Sequence, residues 1–174
     1  YLKTLCKGKT TKKAVTLTFD DGPDKEMTPR VLDILKEYDI KATFFLIGKN
    51  VEKHPDIVKR MVAEGHIIAN HTHSHQGTFP MSSSKQVNNE LRNCDEAIMQ
   101  ATGKSPKLFR PPFGVTNPII GNAVRKRGYR TIGWSIRSLD TIKGRSRKEV
   151  RDKVVAKLHP GAIILLHDRC EKAD

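Results

Sequence analysis

Cysteine is scarce in this chain and never clustered. Its three cysteines, Cys6, Cys94 and Cys170, form no Cys-x-x-Cys pair, so no cysteine-based zinc site is expected. Their odd number argues against a full disulfide framework. Cys6 leads into the amino end of the first strand, whereas Cys170 follows the carboxyl end of the last. In a parallel sheet those ends stand a strand length apart, roughly 17–20 Å. A disulfide spans only about 4.4–6.8 Å between Cα atoms, so these two sulfurs are expected not to pair. Aromatics are also few, at 6%. The densest basic stretches, residues 7–13 and 125–130, carry no nucleic-acid motif, so specific nucleic-acid binding is not expected. No apolar run approaches a membrane span. No apolar signal region follows Tyr1, and the sequence is silent on export.

What is present is a globular composition. The 174 residues are 37% hydrophobic and 29% charged, which suits one domain with a sizeable core. We read residues 1–174 as that domain, with 1–13 as a loose, polar and basic lead-in. The net charge of +13 favours anionic partners, a charged envelope polymer among them.

Strand and helix signals alternate. Apolar or β-branched runs near 14–19, 43–47, 66–69, 107–109, 129–134 and 162–166 predict six strands. Helical spacing predicts five helices. One starts at Thr28-Pro29 with Thr28 as its cap, and others cover about 51–64 and 84–101. A fourth starts at Asn117-Pro118, and a fifth spans about 147–158 behind a Ser146–Glu149 capping box. Continuous apolar strands alternating with helices make an α/β fold, a parallel sheet covered by helices.

The chain is organised around Thr18-Phe19-Asp20-Asp21-Gly22-Pro23. Two adjacent carboxylates sit there where a strand leaves the core. In α/β sheets, sites form at the carboxyl ends of strands. The third strand ends in His71-Thr72-His73-Ser74-His75, the fourth in Arg110-Pro111-Pro112-Phe113, and the sixth in His167-Asp168, while the fifth leads to Asp140. Five of the six strands thus deliver ionisable groups to one rim. His71 and His75 share a direction on a helical turn, and share a face with His73 in an extended strand. With Asp21 they make a His-His-carboxylate set suited to zinc or another divalent transition metal. Asp20 is placed as a general base and His167 as a general acid. Arg110 is placed to hold Asp20 ionised, and Asp140 to orient His167.

These motifs, in this order, resemble the NodB-like polysaccharide deacetylases of carbohydrate esterase family 4. The resemblance rests on Thr18 to Pro23, Asn70 to His75, Phe109 to Gly114 and Leu165 to Asp168. It implies a distorted (β/α) barrel of the NodB homology type that removes acetyl groups from N-acetylated sugars. It implies that Asp21, His71 and His75 hold one divalent metal, zinc foremost, with cobalt or nickel as alternatives. It further implies Asp20 as base, His167 as acid, Arg110 and Asp140 as their supports, and the Phe113 backbone N–H at the oxyanion, with Phe113 and Pro112 against the substrate. The implied substrate is an N-acetylglucosamine polymer such as peptidoglycan or a chitin-like glycan, in a secreted or envelope setting. An O-acetyl esterase, a small-molecule amidase and a carbohydrate-binding domain without catalysis are the rival readings. The oligomeric state is left open.

Two features depart from the family pattern. Its Asp-x-x-Asp-Trp motif is here Arg137-Ser138-Leu139-Asp140-Thr141, which keeps the partner of His167 but alters the sugar groove. Only Arg169 to Asp174 follow the last motif, too few for the further helix and strand of the family. The barrel is therefore expected to be incomplete at its C-terminal seam. The first and last strands would each lack a ladder partner there, and the natural chain would be longer.

Overall fold

The computed structural model describes residues 3–9, 11 and 13–169. Its frame is one sheet of eight strands: β1 (Thr4–Leu5), β2 (Thr16–Asp20), β3 (Thr43–Leu46), β4 (Ile67–Asn70), β5 (Leu108–Phe109), β6 (Arg130–Ile132), β7 (Ile136–Arg137) and β8 (Ile163–His167). All ladders between these strands are parallel, in the order β1-β6-β5-β4-β3-β2-β8-β7. Among the described residues the α-helices are α1 (Met27–Glu37), α2 (Gly48–Lys53), α3 (Pro55–Ala63), α4 (Ser84–Thr102), α5 (Pro118–Lys126) and α6 (Arg147–Val155). This is the expected α/β architecture, a distorted barrel that stays open. None of the helices is long and apolar enough to cross a membrane.

The alternation in β2 decides which side chains reach the site. Leu17 and Phe19 pack into a cluster with Leu32 and Leu35 of α1, Met61 of α3 and Ile98 of α4, and Phe19 stacks on Phe44 at 5.1 Å. Successive strand side chains point to opposite faces. Thr18 and Asp20 therefore face the barrel interior, where one arginine reaches both.

The opening of the sheet is not where the sequence places it. β2 and β8 are ladder partners over five residues, from Thr16↔Ile163 to Asp20↔His167. Both strands read as apolar runs, and direct pairing satisfies their backbones without an intervening element. The ends of the sheet are instead β1 and β7. The single strand expected over 129–134 stops at Ile132, and after Gly133–Ser135 the chain resumes as β7 beside β8. The lead-in is not loose throughout. Thr4 and Leu5 pair with Thr131 and Ile132, and the Gly133 N–H donates to the Leu5 carbonyl at 2.9 Å, so β1 covers the edge of β6.

Local signals explain the other differences. The helix expected over 51–64 is two, because Pro55 opens α3 and His54 before it leaves helical geometry at φ −135°, as a residue preceding proline tends to do. Thr28 is not the cap of α1. Asp24 Oδ1 accepts from the N–H groups of Glu26 and Met27, while Thr28 lies inside the helix. The Ser146–Glu149 capping box and the Asn117 cap form as expected. Cys6 and Cys94 are free thiols. Cys170, the other half of the pair expected not to form, lies outside the described residues.

Candidate metal and acid–base site

A buried guanidinium holds the site together. Arg110, which follows β5, is 0% exposed. Its Nη1 donates to Asp20 Oδ1 at 2.6 Å and to Thr18 Oγ1 at 2.9 Å, its Nε to the Ile132 carbonyl, and its Nη2 to the Gly133 carbonyl. The guanidinium also lies over the Phe45 ring at 4.1 Å. Burying a cation requires such pairing. Burial pushes the Asp20 carboxyl above the usual carboxylate range, against the pull of Arg110, His167 and His75.

Asp21 follows β2 in a left-handed conformation, φ 78°. The Asn50 side chain donates to its carbonyl at 2.8 Å, and the Ile47 N–H holds the Gly22 carbonyl. Its Oδ1 is buried without a hydrogen-bond partner and lies 3.5 Å from both His71 Nε2 and His75 Nε2. The three ligand atoms of Asp21, His71 and His75 lie within 4.8 Å of one another. His71 Nδ1–H donates to the Arg110 carbonyl at 2.7 Å, which turns Nε2 toward Asp21. Burial drives the His71 pKa down to about 3, so the ring is neutral, the form that binds metal. An orphaned carboxylate oxygen facing two imidazole nitrogens is a donor set that fits a divalent ion.

The His71–His75 segment is neither helix nor strand. β4 ends at Asn70, and Thr72 and His75 both have positive φ, 68° and 49°. Side chains hold this loop. Asn70 Oδ1 accepts from the Thr72 N–H, Thr72 Oγ1 from the His75 N–H, and Glu90 of α4 from His73, Ser74 and the Ser74 hydroxyl. His73 turns away, its Nε2 3.9 Å from Glu52. Glu90 and Asn50 carry no sequence signal, because their partners are mostly backbone groups of loops distant in sequence.

His167 ends β8. Both oxygens of the Asp140 carboxylate hold it: Oδ2 accepts from the backbone N–H at 2.7 Å, and Oδ1 accepts from Nδ1–H at 2.8 Å. Nε2 is left for the cavity. Burial alone would lower the His167 pKa, but the Asp140 bond and the charges of Asp140, Asp20 and Asp21 raise it above its ordinary value. The same contact holds Asp140 below the usual carboxylate range despite its burial.

Asp20, Asp21, His71, His75 and His167 line a cavity of about 250 Å³ at the carboxyl ends of the strands, together with Phe113, Trp134, Arg137 and Thr141. Phe113 sits at φ 59°, 58% exposed, with its ring edge-on to His75 at 4.9 Å. Pro112, expected against substrate, is buried, and Pro111 lines the cavity instead. Gly114 lets Trp134 close the wall, since a Cβ there would meet its indole at 2.6 Å. A cavity of about 310 Å³ at the other end of the sheet, beside Ile67 and Leu108, contains none of these groups.

The sequence profile described as polysaccharide deacetylase matches residues 7–132. A peptidoglycan-N-acetylglucosamine deacetylase of Bacillus cereus is 40% identical over 159 residues, covering 90% of this chain and 56% of the relative. The chain thus spans just over half of that relative's length. Among solved structures, a peptidoglycan N-acetylglucosamine deacetylase in complex with 4-naphthalen-1-yl-N-oxidanyl-benzamide superposes with a TM-score of 0.91 at 37% identity, covering 97% of this chain and 78% of the other. A family 4 acetyl xylan esterase from Clostridium thermocellum, in complex with a cobalt ion, superposes with a TM-score of 0.84 at 37% identity, covering 91% and 75%.

Proposed function

The chain belongs to the polysaccharide deacetylase family, and on that premise we propose that it hydrolyses N-acetyl groups from N-acetylglucosamine-type glycans, releasing acetate. The observation that carries this reading is the convergence of Asp21, His71 and His75 beside the Asp20–Arg110 pair. Asp21 Oδ1, His71 Nε2 and His75 Nε2 would hold one divalent ion, zinc foremost. When bound, such an ion supplies Lewis acidity toward the acetamide carbonyl and the attacking water.

The protein's own residues do the rest. Asp20 accepts the proton of the attacking water, with Arg110 fixing its carboxylate through Oδ1. The Phe113 backbone N–H donates to the oxygen that gains charge. His167 Nε2–H protonates the departing amine, and Asp140 holds the ring in the required tautomer and stabilises the imidazolium. The resulting products are acetate and a glucosamine unit. The setting we propose is the cell envelope or the exterior, where such polymers lie, and the charge of +13 suits an anionic one.

The deciding measurement is acetate release from N-acetylglucosamine oligomers by the metal-loaded protein, with free amines counted in parallel. Equal acetate and amine support N-deacetylation. Acetate from O-acetylated glycans alone makes the protein an esterase. Saturable binding of oligomers with no release from either substrate class leaves a binding domain.

A further inference from the structure

His71 and His75 face one carboxylate oxygen because the chain turns sharply between them. Thr72 stands at φ 68°, a conformation that β-branched residues rarely adopt. Such a residue persists only where its surroundings hold it. The Thr72 N–H donates to Asn70 Oδ1 at 2.8 Å, and Thr72 Oγ1 in turn accepts from the His75 N–H at 3.2 Å. The orientation of one side-chain amide, that of Asn70, is therefore part of the metal site.

Asn70 is fully buried, so its neighbours decide which end of the amide faces Thr72. Its Nδ2 donates to the Leu91 carbonyl at 3.0 Å and to Asp95 Oδ1 at 2.9 Å, and lies 3.1 Å from the Tyr129 hydroxyl. Turned over, the amide would set its oxygen against the carbonyl and the carboxylate, and its own N–H groups against that of Thr72. Asp95 lies in the second half of α4 and is itself held by donors. The Tyr129 hydroxyl donates to its Oδ1, and Arg127 Nη1 to its Oδ2 at 3.2 Å. Burial and the Asp95 carboxylate raise the Tyr129 pKa above its ordinary value, so this hydroxyl keeps its proton and gives it to Asp95. Without Asp95 the same hydroxyl is free to donate to a turned amide, and only the Leu91 carbonyl opposes the turn.

We propose that Asp95 is a positioning residue for the metal ligands: through the Asn70 amide it holds the Thr72 turn that aims His71 and His75 at Asp21. The inference rests on the Asp21–His71–His75 set as the metal site, and its test therefore needs no substrate. Zinc affinity of the metal-stripped full chain is measured by competition with a chelator, beside its unfolding in urea. Both are repeated with Asp95→Ala, Asp95→Asn and Arg127→Met. Asp95→Ser, whose hydroxyl sits one atom short of the carboxylate oxygens, replaces Asp95→Ala where alanine does not fold.

Asp95→Ala, or Asp95→Ser in its place, should bind zinc about ten- to hundred-fold more weakly, the usual result of losing a group that orients metal ligands. Asp95→Asn should keep close to the unmodified affinity, because its amide oxygen still accepts from Asn70 and Tyr129. Arg127→Met removes the ion pair without touching Asn70, so it should lose stability and keep its zinc affinity. A purely structural Asp95 would make zinc affinity follow stability through the whole series. Unmodified affinity in Asp95→Ala overturns the proposal, as does an affinity that falls in step with stability in Asp95→Asn and Arg127→Met. Weakened zinc binding in Asp95→Ala, with no acetate released from any glycan by the unmodified chain, would sink the hydrolytic reading and leave this one standing. Acetate release by the unmodified chain, with zinc affinity intact in Asp95→Ala, does the reverse.

Discussion

Asp20 and His167 are directly opposed in the parallel ladder of β2 and β8, each the last residue of its strand. The sheet itself thus sets the separation of the proposed base and acid. Each is then fixed by a different neighbour, Asp20 by Arg110 and His167 by Asp140. The division lets the two groups be removed one at a time without dismantling the other.

Asp20→Asn keeps the side chain's shape and an oxygen that Arg110 can reach, but an amide does not accept the water's proton. The variant should retain metal and lose about 10²–10⁴-fold in kcat, the usual range for a general base. Steady-state acetate release with metal content measured on the same sample checks this. A kcat within a few-fold of the unmodified protein would remove Asp20 from that role.

Asp21→Ala removes the one carboxylate oxygen that faces both imidazoles. Metal content after dialysis should fall to near zero, as the remaining pair gives only two ligands. His73→Ala should keep its metal, because that ring points to Glu52. Loss of metal from both variants alike would mean that the ligand set has been misassigned.

Much of this site is legible in the sequence because chemistry and topology coincide there. Asp20, Asp21, His71, His75, Arg110 and His167 all come from strand ends, and parallel strands bring such ends to one rim. What is not legible is how the segments between strands are held. Nothing in the order of residues says that Glu90, in the middle of α4, will anchor the His71–His75 loop, or that His71 and His75 converge through left-handed turns at Thr72 and His75. The short strands are equally opaque. Thr4–Leu5 and Ile136–Arg137 have too few residues for a periodic signal, and they exist because β6 and β8 offer edges to pair with. The same blindness misplaces the opening of the barrel.

His66 offers a test of stability against pH away from the metal site. It packs edge-on to Phe44 at 5.3 Å, and its Nδ1 accepts from the Ala42 N–H at 3.1 Å. Burial lowers its pKa below the ordinary value. The unfolded chain therefore binds the proton first as pH falls below about 6.5, and stability drops with falling pH until the folded-state pKa is passed. His66→Asn preserves an acceptor for Ala42 and removes this titration. Denaturant unfolding from pH 7.5 to 5 should show a shallower loss in the variant. Parallel curves would assign the acid sensitivity elsewhere.

Gly22 is required by space rather than by backbone conformation. A Cβ added there would lie 2.2 Å from Asp168 Oδ2 and 2.5 Å from Oδ1. That carboxyl has little room to retreat: Asp168 is 1% exposed, and its Oδ2 accepts from Thr28 Oγ1 at 2.7 Å. Gly22→Ala should therefore cost about 1–3 kcal/mol, as overpacking does. It should also weaken metal binding, since Gly22 follows Asp21 directly. If the collision with Asp168 is the cause, trimming that side chain must relieve it. Asp168→Ala alone loses the Thr28 contact and is itself destabilising. The double variant Gly22→Ala/Asp168→Ala should nevertheless be more stable than the sum of the two single losses predicts, by more than the roughly 0.3–0.5 kcal/mol within which independent sites add. Urea unfolding of the four proteins measures that coupling. Strict additivity would show that Gly22 is constrained by something other than the carboxyl group facing it.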